Sequence, residues 1–219
     1  GYTASIGNDL VRTDLCFEAL RLNKLIASHP LTSSPKVSAL QALFLFQASR
    51  LPARSADDGT LLILAEQDRS LWDSQMIAEG LRYFRNSAAG NEISTYHLEA
   101  EIASYHVLSK SFEETDWESL IDAYVVLQER QASPIVALNR IIAVSQLKGA
   151  EAALAELGGL KHEKLENYYP FFITKGELLS RTKNFDEAAD AFGRAMKLTD
   201  NGPIKRFIEN KIKDLPERK

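Results

Sequence analysis

Val11, Leu15, Ala19, Leu22 and Ile26 recur at spacings of four, four, three and four, which places them on one stripe of a helix with Asn8 as its expected cap. The pattern breaks at His29, Pro30 and the Thr-Ser-Ser-Pro of residues 32–35. Ser34 ahead of Pro35 is an N-cap followed by proline at the first helical position, so a second helix is expected over residues 36–49. It is apolar nearly all round, as befits a helix enclosed by others. Residues 51–60, LPARSADDGT, gather Pro, Ser, Asp and Gly into a loop. The LLIL of residues 61–64 is the single stretch expected to be extended.

From Leu71 onward the pattern is helical almost to the end. Trp72, Met76, Ile77, Leu81 and Phe84 form one face of a helix closed by Gly90, and Tyr96, Ala100, Ala103 and Val107 form the next. Thr115 and Glu118 have capping-box spacing and open a helix over residues 116–131. Ser133-Pro134 repeats the cap-plus-proline device, and Asn184 with Glu187 repeats the box. About ten helices, paired antiparallel through mostly short loops, follow from this punctuation. The class is all-α.

A chain of helix pairs invites a search for internal periodicity. The clearest unit starts at Tyr169, with Phe172, Gly176 and Leu179 on its first helix and Phe185, Ala188, Phe192 and Ala195 on its second. These spacings are similar to the tetratricopeptide repeat, where small residues let paired helices approach and large ones fill the gaps. Upstream, Ala137, Val144, Ala153 and Leu157 occupy roughly equivalent places within residues 134–160. Residues 94–131 offer a third pair. Ile204, Phe207, Ile208 and Ile212 then give one apolar face opposite Lys205, Arg206, Glu209 and Lys213, the pattern of a capping helix that closes a solenoid. The expected organisation is a helical part over residues 1–92 and repeats over 93–219, as one continuous unit.

Composition narrows the function classes. The 219 residues are 45% hydrophobic and 26% charged, the balance of a folded globular chain with a sizeable core. A formal net charge of -4 supplies no general field for phosphate backbones, so direct DNA binding is not expected. Cys16 is the only cysteine, which rules out an internal disulfide and fits a reducing, cytoplasmic setting. The greasiest stretch, residues 37–49, is well short of the ~20 apolar residues of a membrane helix, so no membrane partner is expected. The N-terminus lacks the features of a signal peptide, and its missing methionine is expected of a processed product or excised fragment.

No catalytic group, cofactor loop or metal set is expected. His29, His97, His106 and His162 form no HExxH or zinc-spaced cluster, and no Walker loop, G-x-S-x-G elbow or G-x-G-x-x-G occurs. Glu99 and Glu101 point in different directions on a helix, and Cys16 reads as a small core residue. One stretch stands out: EQDRSLWD, with Gln67, Asp68, Arg69, Trp72 and Asp73 as a docking or structural motif. Ser70 and Asp73 have capping-box spacing, so much of the polarity serves a helix start. Trp72 is expected to be largely buried and Arg69 ion-paired with Glu66 or Asp68, tying down the preceding loop. A cleft enzyme using Glu66, Asp68, Arg69 and Asp73 is a competing reading; it requires these side chains to converge.

Four stretches read together resemble one family: GYTASIGNDLVRTDLCFEALRL from Gly1, ALFLFQASRLPAR from Ala42, LAEQDRSLWDSQMIAEGL from Leu64 and SPIVALNRIIAV from Ser133. They look like the C-terminal, tetratricopeptide-containing extension of bacterial sigma factors of the extracytoplasmic-function type, in the family's order. The resemblance implies that two sigma domains, which read the promoter and hold core polymerase, precede this part. It also implies a regulatory, protein-interaction role in transcription initiation, with those sigma domains, the polymerase core or a regulatory protein as partner. A stand-alone helical-repeat scaffold that binds a protein or peptide is the alternative.

Overall fold

The computed structural model describes residues 11–160 and 163–216, together with the backbone of residues 6–7. Among them are eleven α-helices and one parallel pair of two-residue strands, so the chain is all-helical. Asn8, the cap expected for the first helix, lies outside the described residues, as does His162. Contacts group the chain into two compact units. The first holds Val11–Asp58 and Leu62–Asp116; the second holds Gly59–Leu61 and Trp117–Lys219, with the strand at residues 6–7.

The first unit is built around α2 (Pro35–Ala48), which packs against α1 (Thr13–Ser28), α3 (Ser74–Ser87) and α4 (Thr95–Leu108). Three neighbours explain its all-round apolarity. Ala42, Leu45 and Phe46 cluster with Tyr83 of α3 and with Ala100 and Ala103 of α4. The Ser34 hydroxyl accepts from the Val37 N–H at 3.3 Å, so the expected cap is in place. Gly80 is required here: a Cβ at that position would lie 2.7 Å from the Phe46 ring. Full burial of Phe46 contributes about 1.5–3 kcal/mol. Since α4 packs on α2, a division at residues 92/93 falls inside this unit.

The α1 stripe read from the sequence is not the face that packs. Leu15, Leu22 and Ile26 are exposed, while Leu20 and Ala27 meet the α2 cluster and Asn23 is buried. The Asn23 amide donates to Gln41 Oε1 at 2.8 Å and to the Val37 carbonyl at 3.2 Å. That side-chain link to α2 satisfies a buried polar group that would otherwise be costly.

The second unit is a run of helices: α5 (Trp117–Arg130), α6 (Pro134–Leu147), α7 (Ala150–Gly159), the single turn α8 (Glu163–Glu166), α9 (Tyr169–Arg181), α10 (Phe185–Lys197) and α11 (Gly202–Lys213). Packing runs α5 on α6, α6 on α7, α7 on α9, α9 on α10 and α10 on α11. Leu138, Ile141, Ala150, Ala153, Leu157 and Leu178 form one core cluster. Gly176 brings α9 against α10, since a Cβ there would sit 2.6 Å from the Phe192 ring. Ala188 and Ala195 are buried beside it, with Phe172 and Leu179, and Phe185 is half-buried. On α11, Ile204, Phe207 and Ile208 are buried while Arg206, Glu209 and Lys213 are exposed, as the expected half-polar helix requires.

Three local expectations are corrected. Residues 61–64 are extended only in part: Leu61 makes an isolated bridge, the Leu62 N–H donates to the Arg54 carbonyl at 3.0 Å, Ile63 is extended, and Leu64–Glu66 tightens into a 3-10 turn. The strand pair instead joins Ile6–Gly7 to Asp200–Asn201. Thr115 is buried with no hydrogen-bond partner on its hydroxyl, because α5 starts at Trp117, a residue later than the expected box needs. Asn184 precedes α10, yet its side chain donates to Thr182 Oγ1 at 2.9 Å rather than capping.

Candidate functional site

The EQDRSLWD stretch closes the long connection between α2 and α3. Two carboxylates shape it. Asp68 Oδ1 accepts from the Ser70 N–H at 2.8 Å and starts a 3-10 turn, Arg69–Leu71. Asp73 Oδ1 accepts from the N–H groups of Gln75 and Met76, both at 2.9 Å, and so caps α3. The cap of α3 is therefore Asp73, and Ser70 belongs to the turn before it. Two N-terminal signals overlap within six residues, which is why one capping box was read from them. The Asp73 N–H donates to the Ser49 carbonyl at 2.9 Å and joins the two ends of the connection.

Arg69 reaches farther than the sequence suggests. Its Nη1 donates to the carbonyls of His106, at 2.6 Å, and Ser109, at 2.8 Å. These lie at the C-terminal end of α4, where carbonyls lack helical partners and the dipole favours a cation. Arg69 thus holds carbonyls rather than the carboxylate expected for it, and the connection is latched to α4. Its guanidinium stacks 4.5 Å from the centre of the Trp72 ring, and that of Arg50 lies 5.8 Å from the same ring. Trp72 is 7% exposed, in line with the burial expected of it, with no hydrogen-bond partner on its indole N–H. Gln67 braces the turn by donating to the Leu62 carbonyl at 3.2 Å.

The electrostatics follow from two guanidinium groups held near apolar surface. Burial lowers the Arg69 pKa and Arg50 lowers it further, while Glu113 opposes them. Burial, then Arg50 and Arg69, push the His106 imidazole down to about 3, so it is neutral at physiological pH. Hydrogen bonds from Ser70 hold Asp68 below the usual carboxylate range. Glu66, Asp68 and Asp73 each accept from a different backbone N–H rather than converging. Burial raises Glu99, on α4 and outside this stretch. Among the described residues no group of three or more His, Cys, Asp or Glu is placed to hold a metal ion, and no helix is long and apolar enough to cross a membrane. The arrangement fixes a loop on a helix end.

Sequence reasoning missed the partners of the motif: Arg50, His106 and Ser109 lie far from it along the chain, and no local spacing points to them. The sequence excludes His97 from a metal cluster but does not show what it holds. Its Nδ1 accepts from the Ser94 N–H at 3.1 Å and its Nε2 faces the Ser87 carbonyl at 3.1 Å, which ties α3 to the start of α4. In the second unit, Arg140 of SPIVALNR pairs with Glu156 at 2.6 Å and fastens α6 to α7. Arg181 donates to Ser145 Oγ at 3.1 Å and to its carbonyl at 2.9 Å, fastening α9 to α6.

Both distinctive stretches thus act as fasteners between helices. Residues 1–88, the part containing the latched turn, match the model of a family of unknown function, DUF6596. An uncharacterized protein of Rhizobium meliloti (strain 1021) is 37% identical over 215 residues, 98% of this chain and 50% of the relative. The chain therefore spans half the length of the relative it matches. No solved structure matches it.

Proposed function

We propose that this chain is the C-terminal regulatory and protein-interaction extension of a bacterial sigma factor of the extracytoplasmic-function type, acting in the cytoplasm in transcription initiation. Promoter and core-polymerase contacts belong mainly to sigma domains ahead of it. The observation that carries this reading is the ordered resemblance of four stretches along the chain, whose most specific members, EQDRSLWD and SPIVALNR, form interhelical fasteners. A relative twice the matched length leaves room for such domains. Tetratricopeptide-like packing of α9 on α10 through Gly176 and Phe192 supports an interaction role, because stacked helix pairs present extended binding surfaces.

The test is promoter-dependent transcription by the intact factor with and without residues 1–219. A change in activity or in its regulation is expected. Identical transcription by both proteins sinks the regulatory reading, and a gene encoding no sigma domains ahead of Gly1 favours the stand-alone scaffold.

A further inference from the structure

Helix α1 has two apolar faces and uses one. Leu20 and Ala27 pack toward α2, whereas Leu15, Leu22, Leu25 and Ile26 are 44–56% exposed on the same helix. Leu15, Leu22 and Ile26 are spaced seven and four apart, with Leu25 one turn beyond Leu22, so they form a continuous outward stripe. Isolated exposed leucines need no explanation, but a stripe of four on one helix marks an interaction surface. Every charge on α1 is already matched: Arg21 with Glu18 at 2.8 Å, Lys24 with Glu79 at 3.0 Å, and Asp14 with the adjoining Arg12 at 2.8 Å. A surface covering the stripe therefore needs no charge of its own to match α1.

We propose that the outward stripe of α1 docks on an apolar helical surface of the sigma part of the same polypeptide. This rests on the function proposed above. The length relation supports an occupant on the same chain: in the Rhizobium relative half of the protein lies outside the region matching this chain. With sigma domains joined ahead of Gly1, α1 is the first helix within their reach among the described residues. Docking converts α1 from a helix held on one side into a helix held on both, which couples the extension to the sigma part.

Hydrogen–deuterium exchange reads this directly, because a helix packed on one face opens locally more easily than one enclosed. Amides of Thr13–Ser28 are compared between residues 1–219 and the full-length protein, with α2 as internal reference. At least tenfold slower exchange of α1 in the full-length protein, reversed by Leu22→Glu with Ile26→Glu while α2 stays protected, is the expected result. Equal exchange of α1 in the two wild-type proteins overturns the proposal, and that arm needs no variant to fold. A dimer of residues 1–219 by light scattering, with α1 protection rising with concentration, overturns it in favour of a second copy. Slowed α1 exchange in a full-length protein that supports no promoter-dependent transcription defeats the regulatory function but not the docking. Regulated transcription with unprotected α1 does the reverse.

Discussion

Gly80 faces the Phe46 ring between α3 and α2, and Gly176 faces the Phe192 ring between α9 and α10. The contacts are alike: in each a Cβ would lie well inside van der Waals distance of a ring that is 1% exposed. Their separations along the chain differ. Gly176 and Phe192 sit in one hairpin with a three-residue turn, so the spacing of small and large residues announces them. Gly80 and Phe46 are joined by the long connection carrying EQDRSLWD, and nothing local links them. The same packing chemistry is legible when the turn is short and hidden when it is long. The long connection must then be fixed in some other way, and Arg69 does this by holding the end of α4.

Removing the rings tests both contacts most severely. Phe192→Ala and Phe46→Ala should each cost about 3–5 kcal/mol, read by urea unfolding, because each leaves a cavity against a glycine. Gly176→Ala and Gly80→Ala should cost less, about 1–3 kcal/mol of overpacking partly offset by ~1 kcal/mol of better helix propensity. A double-mutant cycle sharpens the comparison: each alanine should be better tolerated when the facing phenylalanine becomes leucine, and strict additivity would show that glycine and ring do not touch.

The fasteners of the long connection come next. Arg69→Ala should cost about 1.5–3 kcal/mol through loss of two charge-assisted bonds to α4, and faster amide exchange at the end of α4 should accompany it. Arg181→Ala removes a comparable pair of bonds on Ser145 and should loosen α6 and α9 without affecting the turn at Arg69. Asp73→Ala should cost about 1 kcal/mol as a lost cap of α3, with Ser70→Ala close to neutral. Equal effects of those two changes would restore the capping box read from the sequence.

Acid acts on the first unit through His106, and the effect is smallest near neutral pH. His106 has a folded pKa of about 3 against an ordinary value of 6.5. Between those values the unfolded chain binds a proton that the folded chain does not, so stability falls as pH drops from about 6.5 toward 3. The slope is at most about 1.4 kcal/mol per pH unit for one proton. His106→Gln should flatten this part of the pH–stability profile; an unchanged slope would show that His106 is accessible and titrates normally.

The helices themselves were well marked in the sequence, because Ser34-Pro35, Ser133-Pro134 and the periodicity of α9 to α11 are local signals. What was hidden depends on residues far apart. Arg69 finds acceptors 37 and 40 positions away, and carbonyls beyond the helical ladder at a helix end carry no sequence label. The strand pair joins the start of the chain to residues near its end. The orientation of α1 was misread for a different reason. Periodicity finds a helix with an apolar stripe, but a stripe wider than the contact it makes does not say which part faces inward.

Asn23 settles that question. A roll of α1 about its own axis would exchange Leu20 and Ala27 for the outer leucines at little hydrophobic cost, so burial alone leaves the rotation weakly determined. Turning Leu22 and Ile26 inward, however, pulls the Asn23 amide from Gln41 and the Val37 carbonyl. The amide works as a rotational stop: one directional contact on a slippery surface keeps the outer stripe presented, and Asn23→Leu should leave α1 helical but free to turn.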